Sequence, residues 1–245
     1  MKRSFSFYAV RSLFFVLLLS GLQSCIYINT NDNIPPRGIQ TRDINLINFD
    51  QLAMGSAFVV HVKQGATFRV QATGELNDLD DLEATVSRAG VLEIRYRNTW
   101  RGNRDRMDID ITLPTLRAVD FSGASVSTIE GFPSLRNLDI VLSGASKSTY
   151  YGSAERLTLD LSGASQLDLS GTGTFLTGDL SGASQLYAFD YPVNEADLGL
   201  SGASRARVAV NKLLKVDASG ASNVRYKGTP TLERQLSGGS TVTRE

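Results

Sequence analysis

The sequence predicts an all-β protein built as a parallel β-helix, and two observations carry this prediction. A four-residue motif of small residues, S-G-A-S or S-G-G-S, occurs seven times at intervals of 18 to 21 residues. Apolar and polar residues alternate on both sides of the motif, which is the period of a strand with one buried face. Repeats of this length that cannot bury a face alone are typical of stacked solenoids.

The strand before each motif keeps its apolar positions from copy to copy. The residues immediately before the seven motifs are Phe121, Leu142, Leu161, Leu180, Leu200, Ala218 and Leu236. Apolar residues also stand two and four positions earlier in most copies. We therefore expect equivalent strands to stack in parallel about 4.8 Å apart. A right-handed coil is expected, because this is the usual hand of parallel crossovers.

The repeated motif is interpreted as a tight structural corner. Its glycine supplies backbone angles that are closed to other residues. The seven glycines are Gly123, Gly144, Gly163, Gly182, Gly202, Gly220 and Gly238. We expect the alanine to fit the inner bend and the serine hydroxyls to form hydrogen bonds along the stack. A catalytic role for the serines is not expected, because a nucleophilic serine needs a base and an orienting group.

Residues 43–113 form a less regular β segment before the repeats of residues 114–245. Two alternating stretches, "FVVHVK" and "FRVQAT", predict strands, and residues 64–67 between them predict a hairpin turn. Leu76, Leu79 and Leu82 have the spacing of a short helix. His61 is the only histidine, and its position in the alternation predicts that it points outward.

The N-terminal residues 1–24 have the layout of a secretory signal. Lys2, Arg3 and Arg11 precede or flank an apolar run that is too short to cross a bilayer. A retained membrane helix is the alternative. Cys25, the only cysteine, ends the sequence "LQSC", which resembles the lipobox of bacterial lipoproteins. That resemblance implies cleavage before Cys25, lipid on its thiol and thus a membrane partner. Because Ile26 rather than aspartate follows, the outer membrane is expected.

Residues 25–42 are predicted to be a tether, because they contain Asn, Asp, Pro-Pro and Gly without a sustained period. The alternative is an edge strand with Ile26 and Ile28 on one face. Basic and acidic residues number 25 each, so nothing in the bulk charge indicates nucleic-acid binding. Loss of residues 1–24 would leave a net charge of about −3.

Outward aspartates form the candidate site, two positions before the motif in four copies: Asp120, Asp160, Asp179 and Asp217. On adjacent coils two carboxylates would lie about 5 Å apart, and a cation or a sugar hydroxyl could bridge them. The alternative is a solvated acidic row. A second candidate surface consists of Tyr150, Tyr151, Tyr187 and Tyr191, although the alternation places Tyr150 inward. No metal site, cofactor or catalytic residue is expected.

The repeated "DLSGAS", with "INFDQLAMGSAFVVHVKQG" and "GVLEIRYR" before it, resembles the "putative auto-transporter adhesin, head GIN domain" family of Bacteroidetes-type bacteria. The resemblance spans about residues 44–240. It implies an exported β-helical surface or periplasmic protein with no established enzymatic activity. We therefore expect a cell-envelope lipoprotein with a structural, binding or adhesive role, whose partner is a glycan or an envelope protein.

The alternative function is a carbohydrate-active β-helix enzyme, either a polysaccharide lyase or a glycoside hydrolase. Such an enzyme needs acidic or basic groups that converge in a cleft. Arg205, Arg207 and Arg225 are the outward basic group in the region where such a site is expected, and the sequence suggests no carboxylate partner for them. The short connections between strands also leave little material for the walls of a cleft.

Overall fold

Strands make up most of residues 34–245, the part of the chain that the computed structural model describes. The strands are β1 (Ile39–Asp43), β2 (Gln51–Met54), β3 (Val59–Gln64), β4 (Arg69–Glu75), β5 (Leu82–Val86), β6 (Val91–Tyr96), β7 (Asp108–Leu113), β8 (Ala118–Phe121), β9 (Val126–Leu142), β10 (Lys147–Leu161), β11 (Gln166–Leu180), β12 (Gln185–Leu200), β13 (Arg205–Ala218), β14 (Asn223–Lys227), β15 (Thr231–Leu236) and β16 (Thr241–Arg244). A single helix among these residues, α1 (Leu76–Asp81), follows β4.

The repeats form a parallel β-solenoid, as the sequence predicts. Each strand from β9 to β13 runs from one corner through a bend to the next corner and pairs in parallel with the strands before and after it. Leu161, for example, is in register with Leu142 and Leu180, and all three are buried. Leu236, in the last layer described, is 39% exposed. The apolar row before the corners therefore forms the core of the solenoid.

The less regular N-terminal segment continues the same stack. β2 and β3 form one layer, with a corner at residues 55–57 between them. This layer lies between a layer made of β6 and β7 and the first repeat layer, made of β8 and β9. Beyond β6 and β7, strands β5 and β4 run antiparallel to the rest, joined by α1, and β1 pairs with β4.

The predicted hairpin between the first two alternating stretches is wrong. β3 and β4 follow each other in the chain, but β7 lies between them in the sheet. β7 pairs in parallel with β3 and antiparallel with β4. Alternation shows which face of a strand is buried, but it does not show which strand lies beside it. The pairing partner comes from a part of the chain that local patterns do not reveal.

The tether prediction is also wrong at its C-terminal end. Ile39–Asp43 forms β1 and pairs residue by residue with β4, so these residues belong to the folded part. The signal peptide, Cys25 and the alternative strand at Ile26 and Ile28 lie outside the described residues. Within residues 34–245, no helix has the length and apolar character needed to cross a bilayer.

Candidate functional site

The corners stack directly above one another and form a ridge along the solenoid. The seven motif glycines have φ between 66° and 74°, a region that disfavours residues with a Cβ atom. The stacking adds a second requirement, because a Cβ atom on Gly163 would lie 2.5 Å from the carbonyl oxygen of Gly144. Ala164 N donates to that same carbonyl oxygen at 2.7 Å. We call this stack the corner ridge.

The predicted orientation of the corner alanine is wrong. Ala145 and its equivalents are exposed, whereas the fourth residue of the motif, such as Ser146, is almost fully buried. The Ser146 hydroxyl donates to the carbonyl oxygen of Ser143 at 2.8 Å, and the Ser184 and Ser204 hydroxyls lie 3.4 Å apart. The Ser146 and Ser204 hydroxyls satisfy carbonyl groups of their own turns, which indicates a structural role.

An eighth corner was missed at the sequence level. Residues 55–57 turn between β2 and β3 and lie beneath the first motif, because Ser122 N donates to Met54 O at 2.9 Å. Ser56 and Ala57 have φ of 66° and 60°, although neither is glycine. The sequence "MGSA" resembles the repeated motif and lies beside alternating apolar residues, so it could have indicated this corner.

The predicted aspartate row lies on the exposed face of the strands that precede the corner ridge. Asp160 and Asp179 are register neighbours in β10 and β11. Val141 separates Asp160 from Asp120, so the row is interrupted. Burial raises the pKa of the Asp120 carboxyl, and the negative charge of Asp160 raises that pKa further.

The other end of the row lines a shallow depression of about 440 Å³. Gly199 lies between Asp179 and Asp217 in the register, and the Asp179 carboxylate occupies the space above this glycine. Asp197, not included in the sequence-level site, also lines the depression with Asp160. We call the surface formed by Asp160, Asp179, Asp197 and Asp217 the acidic face. No group of three or more acidic, histidine or cysteine side chains within residues 34–245 is arranged to hold a metal ion.

The proposed tyrosine surface is not formed. Tyr150 and Tyr191 are fully buried in the solenoid, with their ring centroids 6.3 Å apart. The Tyr191 hydroxyl accepts a hydrogen bond from Ala154 N at 3.1 Å. Tyr151 is half exposed. Tyr187 is partly exposed and lies two layers away, in the register row of Thr149. Alternation already placed Tyr150 inward, but Tyr191 follows a bend that shifts the register.

His61 points outward, as its position in the alternation predicts. Its Nε2 atom lies 4.0 Å from Asp108 Oδ1, which is longer than a hydrogen bond. Asp108 also forms an ion pair with Arg106. His61 therefore lies beside an ion pair on the outward face of β3.

A buried ion cluster lies at the opposite end of the solenoid from the last repeats, where the loop of residues 97–107 replaces a corner. Arg101 and Arg104 bind Asp78 at 3.0 and 3.1 Å, and Arg104 also pairs with Asp81. The Arg104 guanidinium lies 3.6 Å from the ring centroid of Tyr96. Sequence analysis missed this cluster, because the ring and the charges come from three separate segments. Its paired charges tie the loop to α1.

Three arginines stand out on the strand face that follows the corner ridge, and one has a partner that the sequence did not suggest. Arg225 Nη1 lies 2.9 Å from Glu245 Oε1. The Arg207 guanidinium lies 5.2 Å from the ring centroid of Tyr187. Arg205 forms no ion pair with any of the residues described. In the layers of β13 and β14, these arginines therefore put positive charge on the side of the ridge opposite the acidic face.

The family model described as "Putative auto-transporter adhesin, head GIN domain" matches residues 48–230, most of the solenoid. The chain belongs to this family. The match runs from β2 to β14, so it includes irregular first layers as well as most of the repeats. A comparison with curated proteins finds no match.

Solved structures share the head GIN solenoid. A "putative adhesin" from Bacteroides fragilis has a TM-score of 0.73 and 22% sequence identity, covering 86% of this chain and 97% of its own. A "putative adhesin" from Parabacteroides distasonis has a TM-score of 0.70 and 16% identity, covering 85% and 97%. A "putative lipid binding protein" from the same species has a TM-score of 0.67 and 16% identity, with the same coverage. At these identities the likeness shows the fold, while the description of the family suggests an exported, adhesin-like envelope protein.

Proposed function

We propose that this head GIN protein is a lipoprotein of the cell envelope that binds a partner through the flat faces of its solenoid and catalyses no reaction. The observation that carries the proposal is the arrangement of outward side chains in fixed register on both sides of the corner ridge. Backbone hydrogen bonds continue through the corners from layer to layer, so the two faces are held rigidly. Stacked repeats characteristically use such extended surfaces for binding.

The anchor in this proposal is lipid on Cys25. The sequence "LQSC" follows an apolar segment after a basic start, and a multiply acylated cysteine holds a protein firmly on a membrane. The segment between Cys25 and β1 would be the tether. Because Ile26 follows the cysteine, we place the protein at the outer membrane.

The anchor is tested by Cys25→Ala in cells supplied with a labelled fatty acid. We expect the wild-type protein to carry the label and to fractionate with membranes. The variant should remain uncleaved or become soluble, because acylation precedes the cut. Mass spectrometry that finds an unmodified Cys25 in the mature wild-type chain would contradict the anchor.

The binding role is tested with a glycan array and with pull-down from envelope extracts. The competing function, a polysaccharide lyase or glycoside hydrolase, is tested by incubating the protein with candidate polysaccharides. Release of reducing ends or of unsaturated products would contradict the non-catalytic proposal. A glycan or an envelope protein bound without cleavage is the expected result.

A further inference from the structure

Positive charge collects on one part of the solenoid surface, on the face that follows the corner ridge. Arg205 and Arg207 project from β13, and Arg225 and Lys227 project from β14. All four side chains are exposed. We call these four residues, with the aromatic rings of Tyr187 and Phe189 beneath them, the basic patch. In the chain as a whole, acidic and basic residues are equal in number, so the patch is a local excess of positive charge.

The strand register sets the spacing of these cations. Tyr187, Arg207 and Arg225 form one row across three successive strands, and neighbours in such a row are about 4.8 Å apart. Arg205 lies two residues from Arg207 on the same strand, a distance of about 7 Å. Two guanidinium groups, those of Arg207 and Arg225, are therefore neighbours along the axis of the solenoid, and Arg205 lies beside Arg207 on the same strand.

The closely spaced cations of the basic patch lower the stability of the protein when no ligand is bound. Like charges directly opposite each other on neighbouring strands are destabilising, and Arg207 and Arg225 occupy such positions. Glu245 is the single carboxylate that pairs with the patch among the residues described. In earlier layers the same row contains Thr128, Thr149 and Asp168, so the fold does not require arginine there. A bound polyanion would supply the missing counter-charge.

The aromatic rings of the patch support its cations. The Arg207 guanidinium lies over Tyr187, and Lys227 Nζ lies 4.4 Å from the ring centroid of Phe189. Such contacts orient a cation while leaving its N–H groups free to donate. Single-stranded nucleic acid needs open rings for base stacking, and membrane surfaces favour inserted apolar groups. Here both rings are covered by the protein's own cations, which disfavours these two ligands.

From these observations we infer that the basic patch binds an acidic polysaccharide. Charge-assisted hydrogen bonds from guanidinium groups to carboxylate or sulfate groups are strong and directional. A polysaccharide with one acidic group on each sugar presents closely spaced negative charges, which suits cations held one coil spacing apart, about 4.8 Å. The acidic face on the other side of the ridge would repel the same polymer and restrict it to this side. The inference rests on the proposed binding function and names its ligand class.

The test uses the full-length protein in detergent and polygalacturonate oligomers as the probe, with binding measured by isothermal titration calorimetry. A triple variant carries Arg205→Gln, Arg207→Gln and Arg225→Gln. The control carries Arg88→Gln, Arg136→Gln and Arg156→Gln, which removes the same charge from exposed arginines elsewhere. We expect affinity to fall at least about tenfold in the patch variant, or about 1.4 kcal/mol of binding free energy. The control should change less than about twofold, and binding should weaken as salt rises.

Five outcomes would overturn the inference, and the first four concern the binding measurements themselves. These are no binding of polygalacturonate by the wild type, equal losses in the two triple variants, equal binding of neutral dextran oligomers, and preferential binding of oligothymidylate. Displacement of the oligomer by phosphatidylglycerol mixed into the micelles would instead assign the patch to a lipid headgroup and would also overturn it. None of these outcomes depends on lipid at Cys25. A negative result here would therefore not contradict the proposed lipid anchor, which the Cys25→Ala experiment tests separately.

Discussion

At the scale of single residues, the corner glycines satisfy two requirements at once. Their positive φ closes the turn, and the absence of a Cβ atom lets the next layer approach within hydrogen-bond distance of a carbonyl group. The two residues after the glycine have less strict roles. The alanine is exposed, and the serine that ends the motif is buried. Sequence analysis predicted the need for glycine, because glycine is the second residue of all seven motifs. It misassigned the alanine, because residues in a turn do not follow the two-residue period of a strand.

Gly182→Ala should lower the free energy of unfolding by about 2 kcal/mol or more, since it places a Cβ atom in the left-handed region. That atom would also lie 2.5 Å from Gly163 O. Chemical denaturation of the full chain measures the loss. Ala183→Ser is the matched control at the exposed neighbouring position and should be nearly neutral. Equal midpoints for the two variants would contradict the role assigned to the glycine.

At the scale of strands, the sequence predicted where strands occur better than it predicted which strands pair with each other. The alternation and the repeat were sufficient to predict parallel stacking, because each repeat pairs with the one that follows it in the chain. The first strands do not obey this rule, since β7 lies between β3 and β4. For the candidate site, register explains why Asp160 and Asp179 are adjacent, while Asp120 and Asp217 are separated from them by other residues. The buried ion cluster of the 97–107 loop depends on the same long-range pairing and was not predictable.

Leu161→Asp tests the two faces of β10. The leucine is fully buried between Leu142 and Leu180, and a carboxylate there would have no partner. We expect a loss of more than about 4 kcal/mol in the free energy of unfolding. Asp160→Asn, one residue away on the exposed face, should stay within about 0.5 kcal/mol of wild type, on the stabilising side because it removes repulsion from Asp179. Equal thermal shifts for the two variants would show that the faces are assigned wrongly.

At the scale of the whole molecule, the described solenoid has two different ends. One end is covered by antiparallel strands, α1 and the ion cluster. At the other end, Arg234 occupies an inward register position beside Val216 and is exposed. An inward-pointing charge in a last layer discourages another chain from adding a strand. The charged strands β15 and β16 thus cover the apolar layer formed by β13 and β14.

Deletion of residues 229–245 should cause concentration-dependent association, because it uncovers the edges of β13 and β14 together with Leu214. Sedimentation velocity at several concentrations measures this, with circular dichroism to show that the strands persist. Arg234→Val should promote the same association with the layer retained, whereas Glu233→Val, at an outward position, should not. A folded truncation that stays monomeric would contradict the covering role of the last layer.

The position of the β2–β3 layer has a consequence for the order in which the protein folds. These strands are synthesised early, yet both of their neighbouring layers come from later parts of the chain. Closing a loop of about 20 residues between repeats costs less entropy than joining distant segments, and local contacts form faster than distant ones. The repeats are therefore expected to nucleate folding, and the N-terminal layers to dock onto them afterwards. A chain emerging from its export channel would then keep residues 51–64 unpaired until the repeats have followed.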